Sequence, residues 1–197
     1  ISEDPAEGAM FIGEVQEKGA TLDAVYLAYL AEAASILGEW WEDDHASFYE
    51  VMIGTSRIYS IVRSLSYLFT PDRPVEVKSA VFASVPGETH VLGVRMAADL
   101  LGKEGWDITL LTGLSHDALL EEITHSGCRL VGISAGGRHA AASLAKLVIA
   151  LRIAVPSAAI FVSGQITAKA PDLISLMDID GTADDIETAK KVMNQLW

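Results

Sequence analysis

Three features of the sequence predict an α/β protein, in which an N-terminal helical bundle precedes a five-stranded parallel-sheet domain. Apolar residues recur every three or four positions through roughly the first 70 residues. From residue 77 short apolar runs alternate with longer amphipathic stretches, the βαβα texture of a parallel sheet covered on both faces. Between these regions lies Thr70-Pro71-Asp72-Arg73-Pro74, where proline stops a helix and pushes its preceding residue toward extended geometry. The expected domains are therefore 1–74 and 75–197.

Each element follows from local chemistry. Thr21 is a suitable N-cap before Leu22, Val25, Tyr26, Tyr29, Leu30, Ala33 and Leu37, which share one helix face. A second stripe runs through Phe48, Val51, Met52, Thr55, Ile58, Tyr59, Val62, Leu65 and Phe69. The strands are expected at Ser79–Ser84, Asp107–Leu111, Leu130–Ser134, Ala159–Ser163 and a short run around Leu176–Ile179. Helices are expected near 91–103, 115–126, 138–153, 168–175 and 183–195. This alternation implies a flavodoxin/Rossmann-like order, in which the loops after strands one, three and four and the turn after strand five surround one crevice at the carboxyl edge.

Composition narrows the function. A chain that is 50% hydrophobic and 21% charged fills a core rather than staying disordered. A net charge of −13 and the lack of a lysine or arginine cluster argue against direct nucleic-acid binding. The single cysteine, Cys128, excludes an internal disulfide or a paired-cysteine metal knuckle, and its place beside Leu130 suggests a small buried filler. No run of 18 apolar residues offers a membrane span, and the start of the chain lacks the pattern of an export signal, so a cytoplasmic location with no membrane partner is expected.

The chemistry-bearing residues gather at predicted strand ends. Strand one is followed by Pro86-Gly87-Glu88-Thr89-His90-Val91-Leu92-Gly93, which puts one imidazole at a carboxyl end. Strand three ends in Ser134-Ala135-Gly136-Gly137 and strand four in Ser163-Gly164-Gln165, while Asp180-Gly181-Thr182 follows the expected strand five. Glycine allows close backbone approach, and serine and threonine hydroxyls can bond amide or phosphate groups. A strand-to-helix turn uses the same residues for capping alone, so four such ends together carry more weight than any one.

These residues resemble the cobalamin-binding domain of methionine synthase, corrinoid carriers and light-responsive regulators. In that family a DxHxxG or ExHxxG loop supplies the lower axial imidazole to cobalt, and the displaced benzimidazole enters a groove along the sheet. The resemblance gives His90 the metal-ligand position, Gly93 the loop glycine and Glu88 the carboxylate behind the imidazole. It also implies cofactor contacts from Thr89, Ser134, Gly136, Ser163, Gly164, Gly181 and Thr182; Gly132-Ile133-Ser134 matches the family's GxS, and its glycine pair after strand four is reduced to Ser163-Gly164.

The helical half resembles the same regulators, where a bundle caps the cofactor. Their tryptophan followed ten residues on by a Glu-His pair is only partly kept: Glu50 follows Trp40, but Val51 replaces the histidine. The pattern Trp41-x-x-Asp44-x-x-Ser47-Phe48-x-x-Val51-x-x-Gly54 is similar to the bundle of antirepressors that control photosynthesis genes, whose relatives carry haem. Trp41 and Glu50 join the expected cofactor contacts, with one of Trp40 and Trp41 turned toward the helix core. The upper cobalt position is left to no ligand, a light-labile adenosyl group, or a histidine such as His45. The resemblance implies a non-enzymatic, tetrapyrrole-binding sensor, with adenosyl- or hydroxocobalamin as cofactor and a repressor-type transcription factor as partner. The alternatives are a corrinoid carrier of a methyltransferase system and a haem sensor on the same fold. His116, His125 and His139 read as surface residues, Glu42-Asp43-Asp44 as a solvated helix end, and Asp184 and Asp185 as first-turn acids of the last helix. A phosphorelay receiver is set aside, because position 134 is serine and strand one ends without acids.

Overall fold

Two compact units, Ile1–Thr70 and Pro71–Trp197, divide the chain. The computed structural model describes residue 4, residues 6–69 and residues 78–197. The expected boundary at 74/75, with its two prolines, lies outside the described residues.

In the first unit α1 (Glu7–Glu17) is followed by a continuous helical rod made of α2 (Leu22–Ala24), a π-helical segment (Val25–Ala31) and α3 (Glu32–Glu42). Thr21 caps the rod by accepting a hydrogen bond from the Ala24 N–H at 3.2 Å. The π winding departs from the expected plain helix. It brings Val25 and Leu30, five residues apart, onto one buried face beside Tyr26. Tyr26 is fully buried, donates its hydroxyl to the Val62 carbonyl at 3.2 Å and meets the Phe69 ring edge-on at 4.5 Å. Then α4 (Phe48–Leu65) runs back along α3 and ends in a 3₁₀ turn (Ser66–Phe69).

The second unit builds a parallel sheet in the order β2-β1-β3-β4-β5 from β1 (Lys78–Ser84), β2 (Trp106–Leu111), β3 (Leu130–Ser134), β4 (Ala159–Ser163) and β5 (Gly181–Ala183). The fifth strand corrects the sequence reading. Apolar character pointed to Leu176–Ile179, yet Leu176 is 82% exposed and the pairing with β4 begins at Gly181. The expected helix over 168–175 is broken into α8 (Ile166–Lys169) and α9 (Pro171–Ile174), with Pro171 starting the second. The last helix, α10 (Ile186–Leu196), begins later than expected, and Asp185 is its N-cap rather than a first-turn residue. Between strands run α5 (Leu92–Lys103), α6 (His116–Ser126) and α7 (Ala141–Ala154), the last preceded by a 3₁₀ turn (Arg138–Ala140).

Strand alternation divides the core between two faces. Val81, Ala83, Val131, Ile133, Ile160 and Val162 pack with α6 and α7, whereas Ala80, Phe82, Leu130 and Phe161 pack with α5 and α10. Gly132 is required on the second face. A Cβ there would lie 2.5 Å from Phe161 Cζ and 3.1 Å from Phe82 Cδ1. The same alternation puts Ser84, Ser134 and Ser163 on this face, and strand register places them side by side at the carboxyl edge.

Candidate functional site

A sharp turn leads the chain from β1 into the site. The Glu88 N–H donates to the Val85 carbonyl at 3.0 Å, with Pro86 and Gly87 at the central positions and Gly87 at φ +85°, as a type II turn requires. This turn folds the Glu88 side chain inward, leaving it 1% exposed, and the His90 side chain outward, 80% exposed. Glu88 Oε1 accepts from the His90 backbone N–H at 2.8 Å and lies 2.8 Å from His90 Nδ1. Glu88 Oε2 accepts from the Gly136 N–H at 2.7 Å.

The electrostatics fix the protonation pattern. Burial pushes the Glu88 carboxyl up, but the two backbone N–H groups and the His90 ring outweigh burial and hold it below its ordinary range. An ionised carboxylate only accepts, so His90 Nδ1 carries the proton. In the neutral ring the lone pair of Nε2 points away from the carboxylate and is available to a Lewis acid.

Glycine creates the space for this arrangement. A Cβ on Gly136 would sit 2.6 Å from Glu88 Oε2, inside the hydrogen bond it would need to tolerate. Gly164, at φ +92°, would carry a Cβ 2.5 Å from the Ala135 carbonyl oxygen. The neighbouring backbones are tied by Val85 N–H to Ser134 O at 3.1 Å and Ala135 N–H to Ser163 O at 3.0 Å. Beside them Ser84, 2% exposed, buries its Oγ without a hydrogen-bond partner.

The structure thus joins Glu88, His90 and Gly136 directly and sets Ser134, Ser163 and Gly164 along the same edge. Thr89 is exposed beside His90, and Gly93 lies in the first turn of α5, where a Cβ would meet nothing within 4 Å. Gly181 and Thr182 are placed differently from the sequence reading. They are part of β5 and not a turn after it; Gly181 pairs with Phe161, two positions before Ser163. Both line a cavity of about 440 Å³ with Thr167, Pro171, Ile174 and Asp180.

In the helical unit, Trp40 and Trp41 are 43% and 48% exposed, so neither turns into the helix core as expected. Trp41 meets Phe48 edge-on at 5.9 Å. Glu50 is engaged locally: its Oε2 accepts from the Ser47 N–H at 2.8 Å and the Ser47 hydroxyl at 2.7 Å, forming the capping box of α4. Asp44 takes a left-handed φ of 56° at the corner, and a Cβ on Gly54 would lie 2.8 Å from Leu37 Cδ1. Most of the Trp41-to-Gly54 pattern therefore encodes a tight corner between α3 and α4.

Other sequence readings need correction. His116 and Cys128 are half-buried. His139 is exposed, but its Nε2 comes within 4.0 Å of Glu88 Oε2. Its helical spacing to other histidines carries no ligand signature; the available signal was its place three residues after Gly136, which brings it to the strand-three end. The buried, unpartnered Ser84 left a fainter trace, a serine at the end of an otherwise apolar strand.

Solved structures with this fold include the Methanosarcina barkeri monomethylamine corrinoid protein, with a TM-score of 0.80 at 19% identity over 94% of this chain and 89% of that one. A cobalamin-binding protein from Desulfitobacterium hafniense DCB-2 aligns with a TM-score of 0.56 at 13% identity, covering 98% of this chain and 93% of that one. The methanol:cobalamin methyltransferase complex MtaBC from M. barkeri aligns at 0.55 and 13% identity, over 97% of this chain and 74% of that one. In sequence, the uncharacterized 20.5 kDa protein of the bchF-crtJ intergenic region of Rhodobacter capsulatus is 29% identical over 114 residues. That match spans 56% of this chain and 59% of the relative's own length. The B12 binding domain family matches residues 78–190, which include the Glu88–His90 loop, β3, β4 and β5. This chain belongs to the B12 binding domain family.

Proposed function

We propose that this chain is a cytoplasmic, non-enzymatic cobalamin sensor that regulates transcription through a partner transcription factor, with His90 as the lower axial ligand of cobalt. The observation that carries the ligand assignment is the His90–Glu88–Gly136 chain, in which a buried carboxylate fixes one ring nitrogen and leaves the other facing outward. The donor set suits this cofactor. Among the described residues no group of three or more His, Cys, Asp or Glu side chains could hold a metal ion. A single imidazole suits a metal that arrives with a macrocycle supplying its other ligands. The unpartnered Ser84 hydroxyl and the adjacent Ser134 and Ser163 supply polar groups for the rest of the cofactor. When bound and held by His90, the corrin would supply a cobalt centre capable of ligand exchange.

Two observations favour sensing. The R. capsulatus relative is encoded between bchF and crtJ, a location that favours a regulatory role over a carrier role. The charge of −13 favours a protein partner over nucleic acid. No helix among the described residues is long and apolar enough to cross a membrane. A corrinoid carrier for methyl transfer is the competing reading, because it uses the same fold.

The test is to mix the protein separately with hydroxocobalamin, adenosylcobalamin and hemin, and record absorption spectra in the dark and after illumination. A histidine-shifted cobalamin spectrum that disappears in His90→Ala is expected. Identical binding by His90→Ala removes the ligand assignment, preferential uptake of hemin replaces the cofactor, and rapid methyl transfer from methylcobalamin-loaded protein replaces sensing with carriage.

A further inference from the structure

We propose that the outer edge of β5 and the cavity beside it form a docking site for an extended segment of a partner protein that carries a lysine or arginine. The site is independent of what His90 holds, and it rests on the sensing reading only in assigning that segment to a transcription factor. The order β2-β1-β3-β4-β5 leaves β5 at an edge of the sheet, and among the described residues no other strand pairs with its outer side. An edge strand presents backbone N–H and C=O groups on which another chain can add a strand.

The cavity of about 440 Å³ lies against this edge, lined by Gly181 and Thr182 of β5, by Thr167 of α8, and by Ile174 of α9 with Ser175 just beyond it. Ile174 and Ile179, which also line it, pack into the core on the α6 and α7 face of the sheet. Ser84, Ser134 and Ser163 belong to the opposite face, whose core residues Phe82, Leu130 and Phe161 pack with α5 and α10. The cavity is therefore separate from the serine row and from His90.

Its chemistry selects the occupant. Pro171, Ile174 and Ile179 supply apolar wall, while the hydroxyl protons of Thr167 and Ser175 are already given to the Gly164 carbonyl at 2.9 Å and the Asp172 carbonyl at 2.8 Å. Those two hydroxyls can then only accept. Asp180 accepts from the Ile160 N–H at 2.7 Å and from Arg152 Nη2 at 2.8 Å, both on Oδ2, so Oδ1 keeps its acceptor capacity. Asp178 shares the same guanidinium at 3.3 Å, so two carboxylates at this corner divide one positive charge. An acceptor-rich cavity with aliphatic walls suits a side chain whose stem is apolar and whose head only donates, which describes lysine and arginine. The net charge of −13 favours a partner segment of the same positive sign.

The experiment titrates the full chain, without cofactor, with an acetylated and amidated pentapeptide of sequence valine-threonine-arginine-threonine-valine. NMR follows the backbone amides of Gly181, Thr182 and Ala183 and the methyl groups of Ile174 and Ile179. Saturable shifts are expected at both sets, with affinity falling roughly tenfold when glutamine replaces the peptide arginine or when the peptide backbone is N-methylated. Ser175 is exposed, so Ser175→Lys places a competing ammonium at the cavity and should weaken binding about tenfold, whereas Ser175→Glu should strengthen it about two- to fivefold. Thr124→Lys, the same change of net charge on the exposed face of α6, should stay within about twofold. Equal binding of the N-methylated peptide overturns strand addition, and equal binding of the glutamine peptide, or equal weakening by Thr124→Lys, overturns the cation pocket. Shifts at neither set overturn the whole proposal, and displacement of the bound peptide by hydroxocobalamin overturns the separation of the two sites. Because the titration needs no cofactor, failure of the cobalamin reading leaves these outcomes unchanged.

Discussion

Replacing Glu88 by glutamine isolates the charge and acceptor capacity of the site's buried carboxylate while keeping its shape. A glutamine amide can turn its oxygen toward His90, accepting from both N–H groups there, but its NH₂ then faces the Gly136 N–H that now meets Oε2 at 2.7 Å. Turning the amide over moves the donor conflict to His90. One side must lose a charge-assisted hydrogen bond, which is worth about 1.5–3 kcal/mol, and a poorly solvated N–H is left unpaired. Together these lower the stability of the α/β unit by roughly 2–4 kcal/mol at neutral pH. The deficit should depend on pH in a defined direction. Because the folded Glu88 is held below the ordinary glutamate value of 4.5, its contribution is fully present above that value and is lost as pH falls through the lower folded pKa. Urea unfolding followed by circular dichroism, with hydrogen exchange at the Gly136 amide, reads both effects. A deficit under about 0.5 kcal/mol with unchanged Gly136 protection would refute the account, as would a deficit that grows in acid.

Other substitutions probe the scaffold. Gly132→Ala should cost about 1–3 kcal/mol by driving a methyl group into the Phe161 ring, and adding Phe161→Leu should recover part of that loss in urea melts. Gly136→Ala should break the Glu88 contact and increase His90 ring mobility in NMR relaxation, and because the Gly136 N–H is one of the groups that hold Glu88 ionised, the accompanying loss of stability should shrink as pH falls. Ser47→Ala removes the α4 cap and should lower helical-unit stability by about 1 kcal/mol, read by hydrogen exchange in the first turn of α4; the absorption change proposed for hydroxocobalamin binding at His90 should be unaffected.

Much of the fold was legible because strand and helix periods differ. β3 and β4 begin and end where their apolar runs do, and proline and glycine punctuation marks the turns around them. The fifth strand was not legible, since Gly181-Thr182-Ala183 has little strand propensity and is held by pairing with β4 and by the packing of Val192 against Gly181. The π winding of Val25–Ala31 is equally hidden in a helical pattern. At the site, the Glu88-to-Gly93 motif was visible as a local string. The contacts from Gly136 and His139 were not, because they join residues about fifty positions apart through strand register. In the helical unit the sequence pattern was visible but its meaning shifted, since the Ser47–Glu50 cap and the Gly54–Leu37 approach explain it as a corner.

The length of the acidic side chain at position 88 accounts for how the two loops of the site are joined. Glutamate carries its carboxylate one methylene farther from the backbone than the aspartate often found at this family position. Here that reach ends against Gly136, where even a methyl group would enter the contact. The loop after β1 and the loop after β3 are consequently tied through one buried charge, which neither solvent nor a substituted side chain can easily replace. Movement of the His90 ring must be accommodated by that carboxylate, and movement of the carboxylate must be accommodated at Gly136, two residues before the turn that starts α7. A Glu88→Asp variant tests this coupling: the shorter side chain can retain one partner, His90 or Gly136, but not both at their present distances. Protected exchange at both amides in that variant would show that the loops are held together by something other than the carboxylate.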